Sequence, residues 1–403
     1  MGAKGKLPVS IDDEFKVNEG IETLEIKRLG FSIPENVGMN SKVLTKIDSI
    51  ANYAISKKMT PGLQVVVARK GKVIYQKSFG NYTYESTQKV NNTDVYDIAS
   101  LTKIVATLPN VMQEFDQGHL TLETKLKTML PEAKNSNKAN ATVLDMLTHQ
   151  ARFQPWIPFY KATLDSLNRP STHFYRSEFS DEFPVHVADK LYLRKNYNDT
   201  IVKTILDSEL LPKKQYKYSD FTFILFKEYL ELHNKKSLED LAHANFFEPL
   251  GANSIMYNPL RKMNANRIIP TENDNYFRHQ LVQGYVHDMA AAMQGGISGH
   301  AGLFANALDV AKVMQMFLQK GSYGGRTYIS ESTFNIFNTC YFCKDGNRRG
   351  VGFDKPQLGN EGPTCGCVSL TSFGHTGFTG TMTWADPEKE IVYVFLSNRT
   401  FPD

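Results

Sequence analysis

No apolar run in this chain is long enough to cross a bilayer: Ile391 to Leu396 is among the longest, and a spanning helix needs roughly 20 residues. Lysine plus arginine exceed aspartate plus glutamate by only four, 46 against 42, and no basic block stands out. That leaves no electrostatic footprint for nucleic acid. The first six residues lack the apolar stretch of a signal peptide, so the start reads as an excised boundary, and the compartment has to be inferred indirectly. Cysteine is scarce. All four (Cys340, Cys343, Cys365 and Cys367) fall within 28 residues. C-x-x-C followed by C-x-C admits a four-thiolate zinc site, one or two disulfides stapling a loop, or free thiols. Disulfides or free thiols are the commoner outcome, because C-x-C is an unusual zinc knuckle.

What is present is an ordinary globular balance, 41% hydrophobic and 22% charged, in 403 residues. That length holds one large domain or two modest ones. There is no internal repeat and no low-complexity tract. Asn40 or Ser41 can cap a helix running to about Lys57, with Leu44, Ile47, Ile50, Ala51, Ala54 and Ile55 on one face. Leu63–Ala68 and Lys72–Phe79 are β-rich runs around Arg69-Lys70-Gly71, and Thr381–Ala385 and Ile391–Leu396 flank Asp386-Pro387-Glu388-Lys389. Helical patterns dominate from Leu101 to about Ala311, interrupted by a polar, aromatic stretch around Pro155 to Asp199. The economical fold is α/β: an antiparallel sheet from both chain ends, flanked by helices, with a large and mostly helical region inserted between.

Two S-x-x-K segments occur. Ser86-Thr87-Gln88-Lys89 is polar throughout and reads as a solvated loop. Ser100 instead opens an apolar helix face (Ile104, Thr107, Leu108, Val111, Met112 and Phe115), where positions i and i+3 are neighbours. Lys103 can then set its amine beside the Ser100 hydroxyl, and a serine needs such a base before it attacks. The helix start adds positive potential and a free N–H where negative charge develops. The plain alternative is Ser100 as a helix cap. Tyr218-Ser219-Asp220 stands at the mouth of the apolar run Phe221 to Phe226, where a phenol can relay protons if cations lower its pKa. A packing tyrosine beside a capping Ser219 or Asp220 is the plain alternative there. Gly374-His375-Thr376-Gly377-Phe378-Thr379-Gly380 precedes the last hairpin, and its glycines allow close backbone approach or simply a turn.

In this order the three segments resemble the S-x-x-K, S-D-N and K-T-G elements of penicillin-binding proteins and serine β-lactamases. The closest likeness is to the class C β-lactamase and esterase branch, whose second element begins with tyrosine. Pro61-Gly62, Tyr96-Asp97-Ile98-Ala99, Leu147-Thr148-His149 and the run Gly295 to Phe304 extend the resemblance from about Phe31 to the end. It implies a β-lactamase/transpeptidase-like fold over 31–403, with an α/β part at about 31–99 and 305–403 and a mainly helical part at about 100–304. It also implies Ser100 as nucleophile, Lys103 as its base partner, Tyr218 as proton relay and His375 at the lysine or histidine position of the third element. The N–H groups of Ser100 and Phe378 become the oxyanion hole, and Asp220, Thr376 and Gly377 contact substrate. His149 and His300 are framework residues. No cofactor and no metal are expected.

Three residues depart from the pattern. Asp220 replaces asparagine and would hold Lys103 protonated, which moves the expected resting base to Tyr218. Arg152 stands where glycine is usual, and Pro109 should kink the nucleophile helix or shift its hydrogen bonding. Gly5 to Gly20 resembles the closing strand of a family 3 glycoside hydrolase, so residues 1–30 are expected to be a linker or tail from such a covalently linked module. The chain also stops where the superfamily usually adds a helix over the sheet. The expected activity is acyl-enzyme hydrolysis of a D-alanyl-D-alanine-type peptide, small ester or β-lactam, with a peptidoglycan fragment as partner and a periplasmic or secreted location. The rival is a non-turnover muropeptide- or penicillin-binding module regulating its glycosidase neighbour. An α/β-hydrolase using Ser298 fails, because G-x-S-x-G needs glycine where His300 stands.

The two S-x-x-K segments give a direct test. Ser100→Ala should abolish hydrolysis and covalent labelling, and Ser86→Ala should leave both within about twofold, as for a surface change away from a site; a labelled peptide carrying Ser86 or Ser298 contradicts the assignment.

Overall fold

In the computed structural model, which describes residues 5–7, 9–21, 27–357 and 362–402, the two ends of the chain meet in one sheet. Its strands are β1 (Gly30–Phe31), β2 (Gly62–Arg69), β3 (Lys72–Gly80), β4 (Phe373–Gly377), β5 (Thr381–Asp386) and β6 (Ile391–Ser397), in the order β4-β5-β6-β2-β3-β1. Lys70 and Gly71 both take positive φ, 50° and 68°, the turn that matches the twist of a two-residue hairpin between β2 and β3. All pairings are antiparallel except the short β1, which lies parallel to β3. Helix α1 (Ser41–Ser56) separates β1 from β2, and Asn40 caps it by accepting from the Lys42 and Val43 N–H groups.

Strand β2 is apolar on successive residues because both of its faces are buried. Leu63, Val65 and Val67 pack with Leu44 and Ala51 of α1, while Val66 and Ala68 join the main core beneath helix α4 (Ala307–Leu318). Strand β6 divides the same way: Tyr393 and Phe395 face α1, and Val392, Val394 and Leu396 face the core. At the far edge, Phe317 of α4 meets Phe334, Phe353 and Phe373, with centroids 5.2 to 6.4 Å apart. This aromatic cluster anchors β4.

The inserted region is less helical than the sequence pattern suggests. It contains helices α2 (Leu108–Asp116) and α3 (Phe221–Asn234), but also many one-turn helices and small sheets. Tyr175–Arg176, Val185–Ala188 and Leu191–Leu193 form one such sheet inside the aromatic stretch. Another joins Tyr96–Asp97 to Leu303–Ala305 and Met256–Tyr257, and its Tyr96–Asp97 strand runs directly into Ser100. At the N-terminus Gly5–Lys6 pairs with Gly20–Ile21; Pro8, in the strand-like run, lies outside the described residues. The cysteine alternatives resolve into two local disulfides, Cys340–Cys343 and Cys365–Cys367, so no four-thiolate zinc site forms. Among the described residues no helix is long and apolar enough to cross a membrane.

Phe317 is fully buried at the junction of helix and edge strand. Phe317→Ala should cost about 3–5 kcal/mol in denaturant unfolding, and a loss below about 1 kcal/mol would mean the aromatic cluster is not what holds β4 in place.

Candidate active site

Ser100 sits in a tight turn between Tyr96–Asp97 and the helix that follows. Asp97 builds that turn: its carboxylate accepts from the Ala99 N–H at 2.8 Å and from the His287 N–H at 2.6 Å. Ala99 is held at φ 46°, an unfavourable region for a residue with a Cβ. Residues Lys103–Thr107 then form a π-helical segment, in which the Leu108 N–H reaches back to the Lys103 carbonyl, and Pro109 opens the regular part of α2. Pro109 supplies no N–H and cannot extend a regular ladder backwards, so the hydrogen-bond shift falls just upstream of it.

Lys103 is wholly buried, and its Nζ sits among oxygens. It donates to Ser100 Oγ at 2.8 Å and to the His300 carbonyl at 3.0 Å, and lies 2.7 Å from Asp220 Oδ1. Burial opposes its charge, but the Asp220 carboxylate and the Tyr218 oxygen outweigh burial and hold its pKa above the ordinary lysine value. At rest Lys103 is an ammonium ion. Tyr218 donates to Ser100 Oγ at 3.3 Å. Burial raises the pKa of this phenol, and Lys103 and Arg349 only partly oppose that, so Tyr218 is protonated at rest. This corrects the expectation that cations would make Tyr218 the resting base: Asp220 consumes the charge of Lys103. Asp220 begins α3 but makes no side-chain cap, its carboxylate being turned to Lys103 instead.

The Tyr218 segment is fixed by the loop after Leu147. Ser219 N–H donates to His149 Nδ1 at 3.2 Å, Ser219 Oγ donates to the Gln154 carbonyl at 2.6 Å, and the Asp220 N–H donates to the Pro155 carbonyl. The His149 ring packs against Tyr218, tilted by 41° with centroids 4.6 Å apart. Burial, aided by Arg349 and Lys103, keeps its pKa far below the ordinary histidine value. His149 and Arg152 both hold positive φ, 57° and 63°, which explains why glycine suits position 152 in the related pattern.

The third element lies on the edge strand β4. A Cβ at Gly377 would come within 2.8 Å of the Ile98 carbonyl, so only glycine allows the strand this close to the nucleophile turn. Thr379 and Thr381 hydroxyls donate to the Asp97 and Ile98 carbonyls and lock the two segments together. Among the described residues, the N–H groups of Ser100 and Phe378 make no hydrogen bond. Thr376 is exposed, as is the Phe378 ring, which rests against His287 and Arg399.

His375 departs from expectation. It is buried, and burial drives its pKa down to about 3, with Arg349 and Lys103 adding to the effect against Asp354. Its Nδ1 donates to the Thr376 carbonyl at 2.6 Å, which leaves Nε2 as a lone-pair acceptor without a partner. A neutral acceptor cannot pair a substrate carboxylate, so the expected titrating cation is absent here.

The cation at this position is one the sequence did not single out. Arg349 is buried, stacks over Tyr218 at 5.1 Å and lies 3.0 Å from Asp354, a carboxylate it shares with Arg348. Two guanidinium groups on one carboxylate leave a net positive charge, and the buried Arg349 Nη1 has no hydrogen-bond partner among the described residues. Nothing in the local pattern Asn347-Arg348-Arg349-Gly350 marks it, because its role comes from where the loop folds.

Ser298 and His300, both buried, form a chain with the half-buried Asp288, each link 2.8 Å. Ser298 has no exposure, so the chain braces the loop whose His300 carbonyl receives Lys103. Ser86 accepts from the Gln88 N–H and makes no hydrogen bond with Lys89. A cavity of about 30 Å³ adjoins Asp220 and His300, walled mainly by Trp156, Phe159, Tyr160 and Phe221.

With this geometry in hand, comparisons place the chain among known proteins. A family model described as Beta-lactamase matches residues 51–403. A protein of Escherichia coli (strain K12) named as a D-alanyl-D-alanine carboxypeptidase is 26% identical over 91% of this chain and 85% of its own length. An N-acetylmuramyl-L-alanine amidase of Bacillus subtilis (strain 168) is 27% identical over 91% and 83%. Among solved structures, EstCE1, a hydrolase with promiscuous acyltransferase activity, matches with a TM-score of 0.65 at 17% identity, covering 88% of this chain and 93% of that one. A class C β-lactamase from Rhodobacter sphaeroides matches at 0.61 and 16%, covering 89% and 95%.

The Asp220–Lys103 pair predicts a pH effect. In Asp220→Asn burial acts on Lys103 without its main counter-charge, so its pKa falls. The pH–rate profile for a neutral ester should gain a limb below the ordinary lysine value of about 10.4 that the parent protein lacks; identical profiles would mean Asp220 does not set that charge.

Proposed function

The chain belongs to the beta-lactamase family of serine hydrolases, and we propose that it cleaves an amide or ester of a peptidoglycan fragment through an acyl-enzyme on Ser100. The observation that carries this is Ser100 Oγ lying within hydrogen-bond reach of both Lys103 and Tyr218, with the Ser100 and Phe378 N–H groups free of hydrogen bonds among the described residues. For attack, Lys103 passes a proton to Asp220 at 2.7 Å, and the freed amine takes the Ser100 proton. The N–H groups of Ser100 and Phe378 then receive the developing oxyanion. Tyr218 gives its proton to the leaving group and recovers one from Lys103; the same atoms working in reverse activate water for deacylation.

The names of the two curated relatives support amides of peptidoglycan as the substrate class. Arg349, buried beside the Tyr218 ring, supplies the positive potential we assign to attracting a carboxylate on that substrate, with the exposed Thr376 and the half-buried Gly377 along its edge. A periplasmic or extracellular location fits that substrate and the two disulfides. The 2.7 Å pairing of Lys103 with Asp220, which favours the ammonium form, supports a slower alternative, a muropeptide- or penicillin-binding module serving a linked glycosidase.

Intact-mass analysis after a fluorophosphonate and after penicillin, together with steady-state assays on a D-alanyl-D-alanine peptide, a muramyl-L-alanine amide and a neutral ester, tests this. We expect one adduct on Ser100, multiple turnovers on a carboxylate-bearing amide, and a KM raised about 10- to 100-fold for that amide alone in Arg349→Gln, the worth of one charge about 7–10 Å away at an effective dielectric near 20. A stable acyl adduct without turnover on all three substrates would favour the binding module.

A further inference from the structure

Far from Ser100, Glu114, His119 and His233 each aim one ligand atom at a common point. Glu114 Oε2 lies 2.8 Å from His119 Nδ1 and 3.3 Å from His233 Nε2, and the two ring nitrogens are 3.2 Å apart. Hydrogen bonding satisfies at most two sides of this triangle, because two ring N–H groups that both donate to the carboxylate leave the N···N side unbonded. A tetrahedral ion with bonds of about 2.0–2.1 Å holds its ligand atoms about 3.3–3.4 Å apart. Two sides already have nearly that length, and the third needs to open by about half an ångström to reach it.

The local chain explains how three distant residues converge. Helix α2 ends after Asp116, and Gly118, at φ 76°, turns the chain so that the His119 N–H donates to the Glu114 carbonyl. That places the His119 ring over the Glu114 side chain. His233 arrives from the last turn of α3, its ring stacked on Tyr229. The Glu114 carboxylate is buried and oriented: Asn234 Nδ2 donates to Oε1 at 2.9 Å and the Tyr229 hydroxyl to Oε2 at 3.4 Å. Among the described residues its only ion-pair partners are these two histidines, and a buried carboxylate requires a positive partner. The histidine side chains are 41% and 39% exposed, which leaves one side open to solvent.

We propose that Glu114, His119 and His233 bind one divalent transition-metal ion of the zinc class, with water completing the shell. Two imidazoles and one carboxylate suit such an ion and not magnesium or calcium, which prefer oxygen shells. Glu114 lies 14 residues beyond Ser100, about 20 Å along a helix. The ion therefore does not touch the reacting atoms. It clamps the far ends of the two helical segments whose near ends carry Ser100–Lys103 and Tyr218–Asp220.

The test uses the full chain without an affinity tag, stripped with a chelator and titrated with Co²⁺. One equivalent should give visible d–d absorption that Zn²⁺ abolishes and Mg²⁺ does not. Zn²⁺ should raise the thermal midpoint. His119→Asn and His233→Asn, both at exposed positions, should each weaken Co²⁺ binding by about 100-fold or more, the upper end of what losing even a supporting residue costs a metal site. Both variants should lose the thermal shift while neutral-ester turnover changes less than about twofold. Absence of saturable one-to-one binding, or unchanged binding in both variants, overturns the proposal.

Discussion

Lys103 has no solvent exposure, yet its ammonium group is the point from which the catalytic centre is built. Moving such a charge out of water costs several kcal/mol after relaxation. Asp220, the Ser100 hydroxyl and the His300 carbonyl offset that cost, and each comes from a different part of the chain. The ion pair therefore fixes the relative positions of three segments at once. Removing Asp220 leaves Lys103 buried without its counter-charge, so the site and the local fold share a single energetic condition. The π-helical turn at Lys103–Thr107 and the braced Ser298–His300–Asp288 loop are both arranged around that one nitrogen.

Three of the chain's left-handed non-glycine residues lie around the same centre. Ala99, His149 and Arg152 hold left-handed backbone angles on the turns that carry or support Ser100 and Tyr218. Such angles cost on the order of 1–3 kcal/mol each and persist only where surrounding contacts enforce them. Here the enforcement is visible: Asp97 grips the Ala99 N–H, and the Arg152 Nε donates to the Leu211 carbonyl. Strand β4 supplies the opposite wall and lies at the sheet edge, where its remaining side is free to meet a ligand.

The framework was legible in the sequence because it depends on local pattern. The capping Asn40, the Arg69-Lys70-Gly71 turn and the β-rich runs of β2 and β6 are read within a few residues. Ser100, Lys103 and Tyr218 converge because their motifs sit at element ends. What escaped reading depends on burial. The protonation states of His375 and Tyr218 follow from desolvation, which no motif encodes. Arg349 and the Glu114–His119–His233 cluster are assembled by loops and helix ends distant in sequence, with no common spacing to flag them. The short strands of the inserted region escaped for a related reason: brief apolar runs, such as Leu303–Ala305, fit a strand or a helix turn equally until neighbours decide.

The central claim is that Lys103 rests as an ammonium ion held by Asp220. Carbon-13 NMR of protein labelled at lysine Cε measures this directly, with the Lys103 signal identified by its loss in Lys103→Met. The account predicts that this signal stays at the ammonium position from about pH 6 to 9, below the ordinary lysine range. A midpoint inside that window would mean that Lys103 already holds a free lone pair at rest, and would contradict the account.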